Sequence, residues 1–317
     1  MIKMKYELEH NPIYGEEEAL LDGVRVITAD NASAYTFTGT RSYLLGLTSL
    51  AIIDPGPFVS NHLKALKNGI GTSEVTHIIL THSHMDHCSL AYRIAIETNA
   101  AIYMFGTDEN EFELLDRINN NVDTKLHNKR FNQVPRIKKL ADGDLIVGKD
   151  WSLEVIHTPG HYFDHICLAC KEKNLIFSGD HVMGWSSTMI SPPSGSMTHY
   201  ISSLKKILNR NENLYLPGHG LPINDAKKFT ATQIRHKENR EQHILEFINQ
   251  SPSNTIEIVP AIYIGLTSSL YEAAQLNVLA HLIDLESRNL ISCELPISIT
   301  SKVSIICKNY LVYKGSQ

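Results

Sequence analysis

The chain has 317 residues, room for about two domains, with 29 Lys+Arg against 34 Asp+Glu and a formal net charge of −5. Hydrophobic residues at 43% and charged residues at 20% exclude a largely disordered or fibrous chain. The acid excess removes the simplest argument for nucleic-acid binding, a strongly basic surface. Five cysteines, an odd number, make no disulfide framework. The opening MIKMKYELEHNP has no apolar core of signal-peptide length, and no apolar run approaches a membrane span. The expectation is a soluble cytoplasmic protein with reduced thiols and no membrane partner.

In chain order, residues 24–28, 42–46 and 50–53 are short β-branched or apolar runs between turn residues, and read as strands. Pro55 and Pro57 end the third strand, with Gly56 allowing a sharp turn. Residues 60–68 read as a helix with Ser60 or Asn61 as N-cap, and 76–80 as a buried strand. A helical pattern over 88–98 precedes a strand at 101–105, and the charged, Asn-rich stretch 106–136 reads as a helix and loop inserted at the surface. Strands are expected near 145–147, 152–156, 165–170 and 174–178. Cys167 and Cys170 stand three apart on one of them and so face opposite sides, which suits neither a metal nor a disulfide cycle.

A helix at 198–209 and a strand at 214–216 lead to the abrupt turn LPGHG. Residues 225–249 then form one long polar helix, suited to linking two bodies. After Ser251-Pro252-Ser253 the remainder reads helix, helix, β-hairpin. Leu270, Ala274, Val278, Leu282 and Leu285 fall at helical spacing, and 303–313 has the apolar character of paired strands. Strand–helix alternation predicts an α/β class with sheet inside and helices outside, divided as 1–224, a linking helix 225–250, and 251–317.

Sixteen histidines are unusual, and their placement carries the chemistry. Five segments end a strand or fill a tight turn, each offering a metal-type ligand: Asp54 in IIDPG, His82-Ser83-His84-Met85-Asp86-His87, Thr158-Pro159-Gly160-His161, Ser178-Gly179-Asp180 and Pro217-Gly218-His219-Gly220. Imidazole with carboxylate suits zinc, iron or manganese and is wrong for a calcium or magnesium cage. Two histidines at i and i+2 on a loop can turn to one metal while Asp86 and His87 turn to a neighbour. Histidine-rich turns as surface decoration would explain one HxH, but not this order of ligands.

These segments resemble, at every position, the HxHxDH…H…D…H pattern of the metallo-β-lactamase-fold superfamily, over roughly residues 20–225. The resemblance implies an αββα four-layer sandwich. It further implies that His82, His84 and His161 hold a first metal, that Asp86, His87 and His219 hold a second, and that Asp180 bridges them. Asp54 then orients a ligand histidine from behind, and His165 has a similar supporting or core role. The implied activity is a hydrolase with two Zn2+, iron or manganese remaining open, and a metal-bridging hydroxide as nucleophile. Asp86 and Asp180 would be the catalytic carboxylates.

After Asp180, the stretch holding Trp185, Ser186, Ser187 and Thr188 either meets substrate or is a rigid loop pinned by Pro192 and Pro193. This stretch, the PGHG turn and the following helix are similar to the β-lactamase-like-protein-2 branch, which implies a small winged-helix-like C-terminal domain. A metazoan relative in that branch cleaves single-stranded RNA, so an endoribonuclease-like phosphodiesterase leads the substrate expectations. The alternative is a small acyl thioester or ester, of the glyoxalase II kind, with a β-lactam as a weak side activity. A second alternative is a non-enzymatic nucleic-acid-binding regulator; a site without cysteine that leaves room for water argues against it. Residues 254–317 carry a net charge of −1, which favours packing beside the active-site mouth or homodimerisation over duplex binding. Basic residues gather instead at Lys125, His127, Lys129, Arg130, Arg136, Lys138 and Lys139, and at Arg235, Lys237 and Arg240, where they form either a rim for an anionic substrate or a solvated face.

Overall fold

The computed structural model describes residues 4–106, 135–293 and 296–306. Two sheets stack face to face. The first has seven strands in sequential order: β1 (Glu17–Leu21), β2 (Val24–Thr28), β3 (Arg41–Leu45), β4 (Ser49–Ile53), β5 (Glu74–Ile79), β6 (Ala101–Phe105) and β7 (Ile137–Leu140). It is antiparallel from β1 to β4 and parallel from β4 to β7. The second runs β12 (Leu214–Pro217), β11 (Leu175–Gly179), β10 (Ile166–Cys170), β9 (Ser152–His157) and β8 (Leu145–Val147), with only β11 and β12 parallel.

Alternation along the strands sorts side chains into layers. Tyr43, Leu45, Ile53 and Ile79 meet Leu153, Val155, Leu168 and Phe177 between the sheets. The other face of the first sheet, through Leu44, Ile52 and Ile78, packs on α1 (Ser60–Ile70) and α3 (Ala91–Thr98). The other face of the second, through Ile156, Cys167 and Ile176, packs on α4 (Met197–Leu208) and the first half of α5 (Ala226–Gln250). This is the expected αββα sandwich. Cys167 and Cys170 indeed enter different cores on opposite faces of β10.

Local expectations needed several corrections. β1 and β7 were not foreseen; β1 is the largely exposed edge strand EEALL, with only three apolar residues after two glutamates, and β7 is the short IKKL, whose centre is two lysines. The helix expected over 88–98 is two pieces, α2 (Met85–Cys88) and α3, so Asp86 and His87 stand on a helical turn rather than in open loop. The N-cap position of α1 is Val59, with no side-chain cap from Ser60 or Asn61. The insert lies mostly in 107–134, outside the described residues, and so do Lys125, His127, Lys129 and Arg130.

At the C-terminal end, α6 (Thr255–Ile262), α7 (Tyr271–Ser287) and the hairpin β13 (Ile291–Cys293) with β14 (Val303–Ile305) close a separate core with Ile244, Leu245 and Ile248 of α5. β14 pairs with β13; the part of the expected 303–313 strand pair from 307 onward lies outside the described residues. Asn254 starts α6 with a reciprocal capping box to Glu257. Among the described residues no helix is long and apolar enough to cross a membrane.

The polar middle of α5 does not stand free: of its basic residues Arg235 is exposed, while Lys237 and Arg240 are engaged within the protein. Lys237 is 2% exposed, donating to the Thr188 carbonyl oxygen at 2.8 Å and to Asn277 Oδ1 at 3.4 Å. Arg240 stacks 3.8 Å from the Tyr263 ring centroid and donates to the Ile262 carbonyl. Burial, aided by Arg240, pushes the Lys237 ammonium from 10.5 down to about 7. Between those values the unfolded chain holds a proton that the folded chain has lost, so stability should rise with pH there. The slope is up to about 1.4 kcal/mol per pH unit. Lys237→Met should flatten that rise. Urea unfolding of both proteins from pH 7 to pH 10 measures it, and equal slopes would rule the effect out.

Candidate metal centre

The ligand-type residues follow the C-terminal ends of five strands: Asp54 after β4, the His82–His87 loop after β5, His161 after β9, Asp180 after β11 and His219 after β12. The parallel pairs β4–β5 and β11–β12, with β9 and β11 both antiparallel to β10, put these ends together. Backbone bonds stitch the two sheets there, from Ile166 N to the Thr81 carbonyl at 2.7 Å and from Arg41 N to the Gly218 carbonyl at 2.8 Å.

All seven expected side chains converge, in two adjoining groups. His82, His84, His161 and Asp180 offer donor atoms within 4.8 Å of one another, and so do Asp86, His87 and His219. Asp180 faces both groups: its Oδ2 lies 3.5 Å from His161 Nε2 and 3.4 Å from His219 Nε2, and its Oδ1 lies 3.5 Å from His87 Nε2. Asp86 Oδ2 is 3.4 Å from His87 Nε2 and 3.3 Å from His219 Nε2.

The surrounding hydrogen bonds fix which ring nitrogens face inward. His161 Nδ1–H donates to the Met189 carbonyl at 2.8 Å, His87 Nδ1–H to Asp54 Oδ2 at 2.9 Å, and His219 Nδ1–H to the Gly39 carbonyl at 3.3 Å. The Thr81 hydroxyl gives its proton to Asp54 Oδ2 at 2.7 Å, so at 3.0 Å it accepts from His82 Nδ1–H. Four Nε2 lone pairs are thereby aimed into the centre, the usual device for orienting a metal-binding imidazole. Two of them, on His82 and His161, converge at 2.9 and 3.0 Å on His84 Nδ1. One ring proton serves two such acceptors poorly, whereas one cation suits all three nitrogens.

Other observations agree with a cation. Among the described residues, His87 Nε2 and Asp180 Oδ1 are buried without a hydrogen-bond partner. A Cβ at Gly218 would come within 2.5 Å of Asp180 Oδ1 and 2.7 Å of His87 Cε1, so only glycine admits this approach. Burial alone would lower His87 and His219, but Asp86 and Asp180 around both, with Asp54 beside His87, lift His87 well above the ordinary imidazole value and His219 to about 9. Burial and the neighbouring imidazoles His87 and His84 hold His82 far below it. The second group carries carboxylate charge that a divalent cation would neutralise in place of protons.

Asp54 anchors the loop from behind. At φ 50° it sits in the left-handed region that Asp tolerates, and its Oδ1 takes the Thr81 backbone N–H at 2.8 Å. His165 is not among the converging donors. Its Nε2 accepts the Asp180 backbone N–H at 3.1 Å, so its Nδ1–H donates to the Thr158 hydroxyl at 2.9 Å. His181 lies between His165 and Tyr200, buried with neither ring nitrogen hydrogen-bonded among the described residues, as befits a neutral packing residue.

The 185–188 stretch divides. Thr188 is fully buried, its hydroxyl donating to the Asp180 carbonyl at 2.8 Å. Trp185, Ser186 and Ser187 are partly exposed and line a cleft. Sequence reasoning missed Thr40, whose hydroxyl donates to Asp86 Oδ2 at 3.1 Å, and the Met189 carbonyl that holds His161. Thr81, which links Asp54 to His82, stood beside the HxHxDH run and could have been found there; a backbone carbonyl leaves no mark in a sequence.

Residues 35–219 match the model of the metallo-beta-lactamase superfamily, and residues 255–294 match that of the beta-lactamase associated winged helix domain. The beta-lactamase-like protein 2 homolog of Drosophila melanogaster is 32% identical over 279 residues, 84% of this chain and 89% of that protein. An atrochrysone carboxyl ACP thioesterase of Cryptosporiopsis sp. is 23% identical over 245 residues, 76% of this chain and 67% of that protein. A solved beta-lactamase domain protein from Burkholderia ambifaria superposes with a TM-score of 0.77 at 20% identity, over 95% of this chain and 96% of that one.

Proposed function

The chain belongs to the metallo-beta-lactamase superfamily, and on that premise we propose that it is a binuclear zinc-dependent hydrolase of acyl thioesters. The observation that carries the hydrolase reading is the pair of adjoining donor groups with Asp180 facing both. His82, His84 and His161 would hold one ion and Asp86, His87 and His219 the other. Two such ions supply Lewis acidity and a water acidic enough to attack near neutral pH. The residues supply the rest: Asp54 and the Met189 carbonyl fix ring orientation, and Thr40 holds Asp86. In thioester hydrolysis, water adds to the carbonyl carbon and the C–S bond breaks. A carboxylate, a thiol and a proton are released.

The acyl substrate is supported by the name of the thioesterase relative and by α5, where Lys237 and Arg240 are committed within the protein and Arg235 alone of the three is exposed. Single-stranded RNA, first among the sequence expectations, becomes the second reading. It is favoured by the exposed Arg136, Lys138 and Lys139 beside the insert. Parallel assays of zinc-loaded protein on a thioester panel and on fluorescent single-stranded RNA separate them, with Asp180→Asn as the blank. Thioester turnover with intact RNA is expected. RNA cleavage without thioester turnover would reverse the order.

A further inference from the structure

Trp185, Ser186, Ser187 and Met189 form part of a cleft of about 330 Å3 whose lining also includes Tyr263, Leu266 and Leu270 from the C-terminal region. The same loop touches the metal centre. The Met189 carbonyl holds His161, the Thr188 hydroxyl holds the Asp180 carbonyl, and the Trp185 ring lies on Gly220, the residue after His219. Phe37 stacks on Trp185 at 5.0 Å and 7°, fixing the indole.

We propose that this cleft is the acyl-specificity pocket, taking a bulky aromatic acyl group while its thioester carbonyl lies at the Asp180 centre. The inference rests on the thioester reading. Its chemistry comes from the lining. Tyr263 and Trp185 offer flat apolar rings, Leu266 and Leu270 add aliphatic surface, and among the described residues no Lys or Arg lines the cleft to hold a polyanion. The one imidazole among the described lining residues, His236, is pushed by burial down to about 4 and is neutral. At roughly 30 Å3 per water-sized unit the space holds about a dozen heavy atoms, the size of a phenylalkanoyl group. The C-terminal domain then acts as one wall of the substrate site.

The test keeps the thiol constant and compares acetyl with 3-phenylpropanoyl thioesters, alongside binding of the uncharged 3-phenylpropanamide read from Trp185 emission. Wild-type protein should prefer the phenylpropanoyl ester by at least tenfold in kcat/KM. Ala273→Phe, which narrows the cleft, should cut that preference at least tenfold and weaken amide binding, and Leu270→Ala, which widens it, should shift preference to longer chains. The amide should leave emission unchanged in Trp185→Phe. Equal kcat/KM for the two esters in wild type, or amide binding unaffected by both cleft variants, would overturn the pocket. If no thioester is hydrolysed but the amide binds and Ala273→Phe weakens it, the cleft stands and the thioester reading falls.

Discussion

Asp180→Asn should lower kcat/KM on every hydrolysed substrate by about 10²- to 10³-fold, the range seen when a preorganised charge at a reacting centre is removed. Asp180 is 6% exposed and its two oxygens face histidines of both donor groups, so its charge serves both sides at once. Asparagine keeps the shape and removes the charge. In the metal-free protein Asp180 is paired with His87 and His219, which its charge raises and which hold its own carboxyl well below the usual range, so the metal-free variant should melt below the metal-free wild type. Steady-state kinetics and thermal unfolding measure the two effects. Full turnover in the variant would show that Asp180 does not lie between two working ions.

Asp54→Ala should weaken metal binding by about 10- to 100-fold although Asp54 is not in either converging group. Its carboxylate takes three hydrogen bonds, from Thr81 N, the Thr81 hydroxyl and His87 Nδ1–H. Without it, His87 is free to turn, and Thr81 no longer needs to accept from His82. One substitution thus loosens a ligand in each group. Alanine also fits φ 50° poorly, whereas asparagine adopts that region readily. Asp54→Asn should therefore recover fold stability without recovering full affinity, because its amide replaces one acceptor by a donor. Competition with a chromogenic chelator reads the affinities. An unchanged affinity in Asp54→Ala would remove Asp54 from the account.

The site was legible because its ligands come in short segments at strand ends, where turn residues and strand patterns are both strong. That Asp54, the His82–His87 run, His161, Asp180 and His219 form one centre was implied by the family resemblance that their order carries. The layers were legible for the same reason: Leu44 and Tyr43, or Cys167 and Cys170, divide between cores as strand alternation requires. What stayed hidden was set by tertiary packing. β1 and β7 pair at the sheet edges with charged residues making up two of five and two of four positions. Lys237 and Arg240 looked like surface cations in a polar helix, yet the first is buried against the 188 carbonyl and the second lies on Tyr263. Charge counting could not tell such committed cations from free ones. The cleft joining the 185–189 loop to α7 depends on contacts between residues some 80 positions apart, which no local pattern encodes.

The central claim is that the two donor groups hold two ions at once. Titration of chelator-stripped protein with Zn2+, followed by elemental analysis after desalting, tests it most directly. The account predicts two ions per wild-type chain, with Asp86→Ala retaining one. A wild-type endpoint of one ion or none would contradict it.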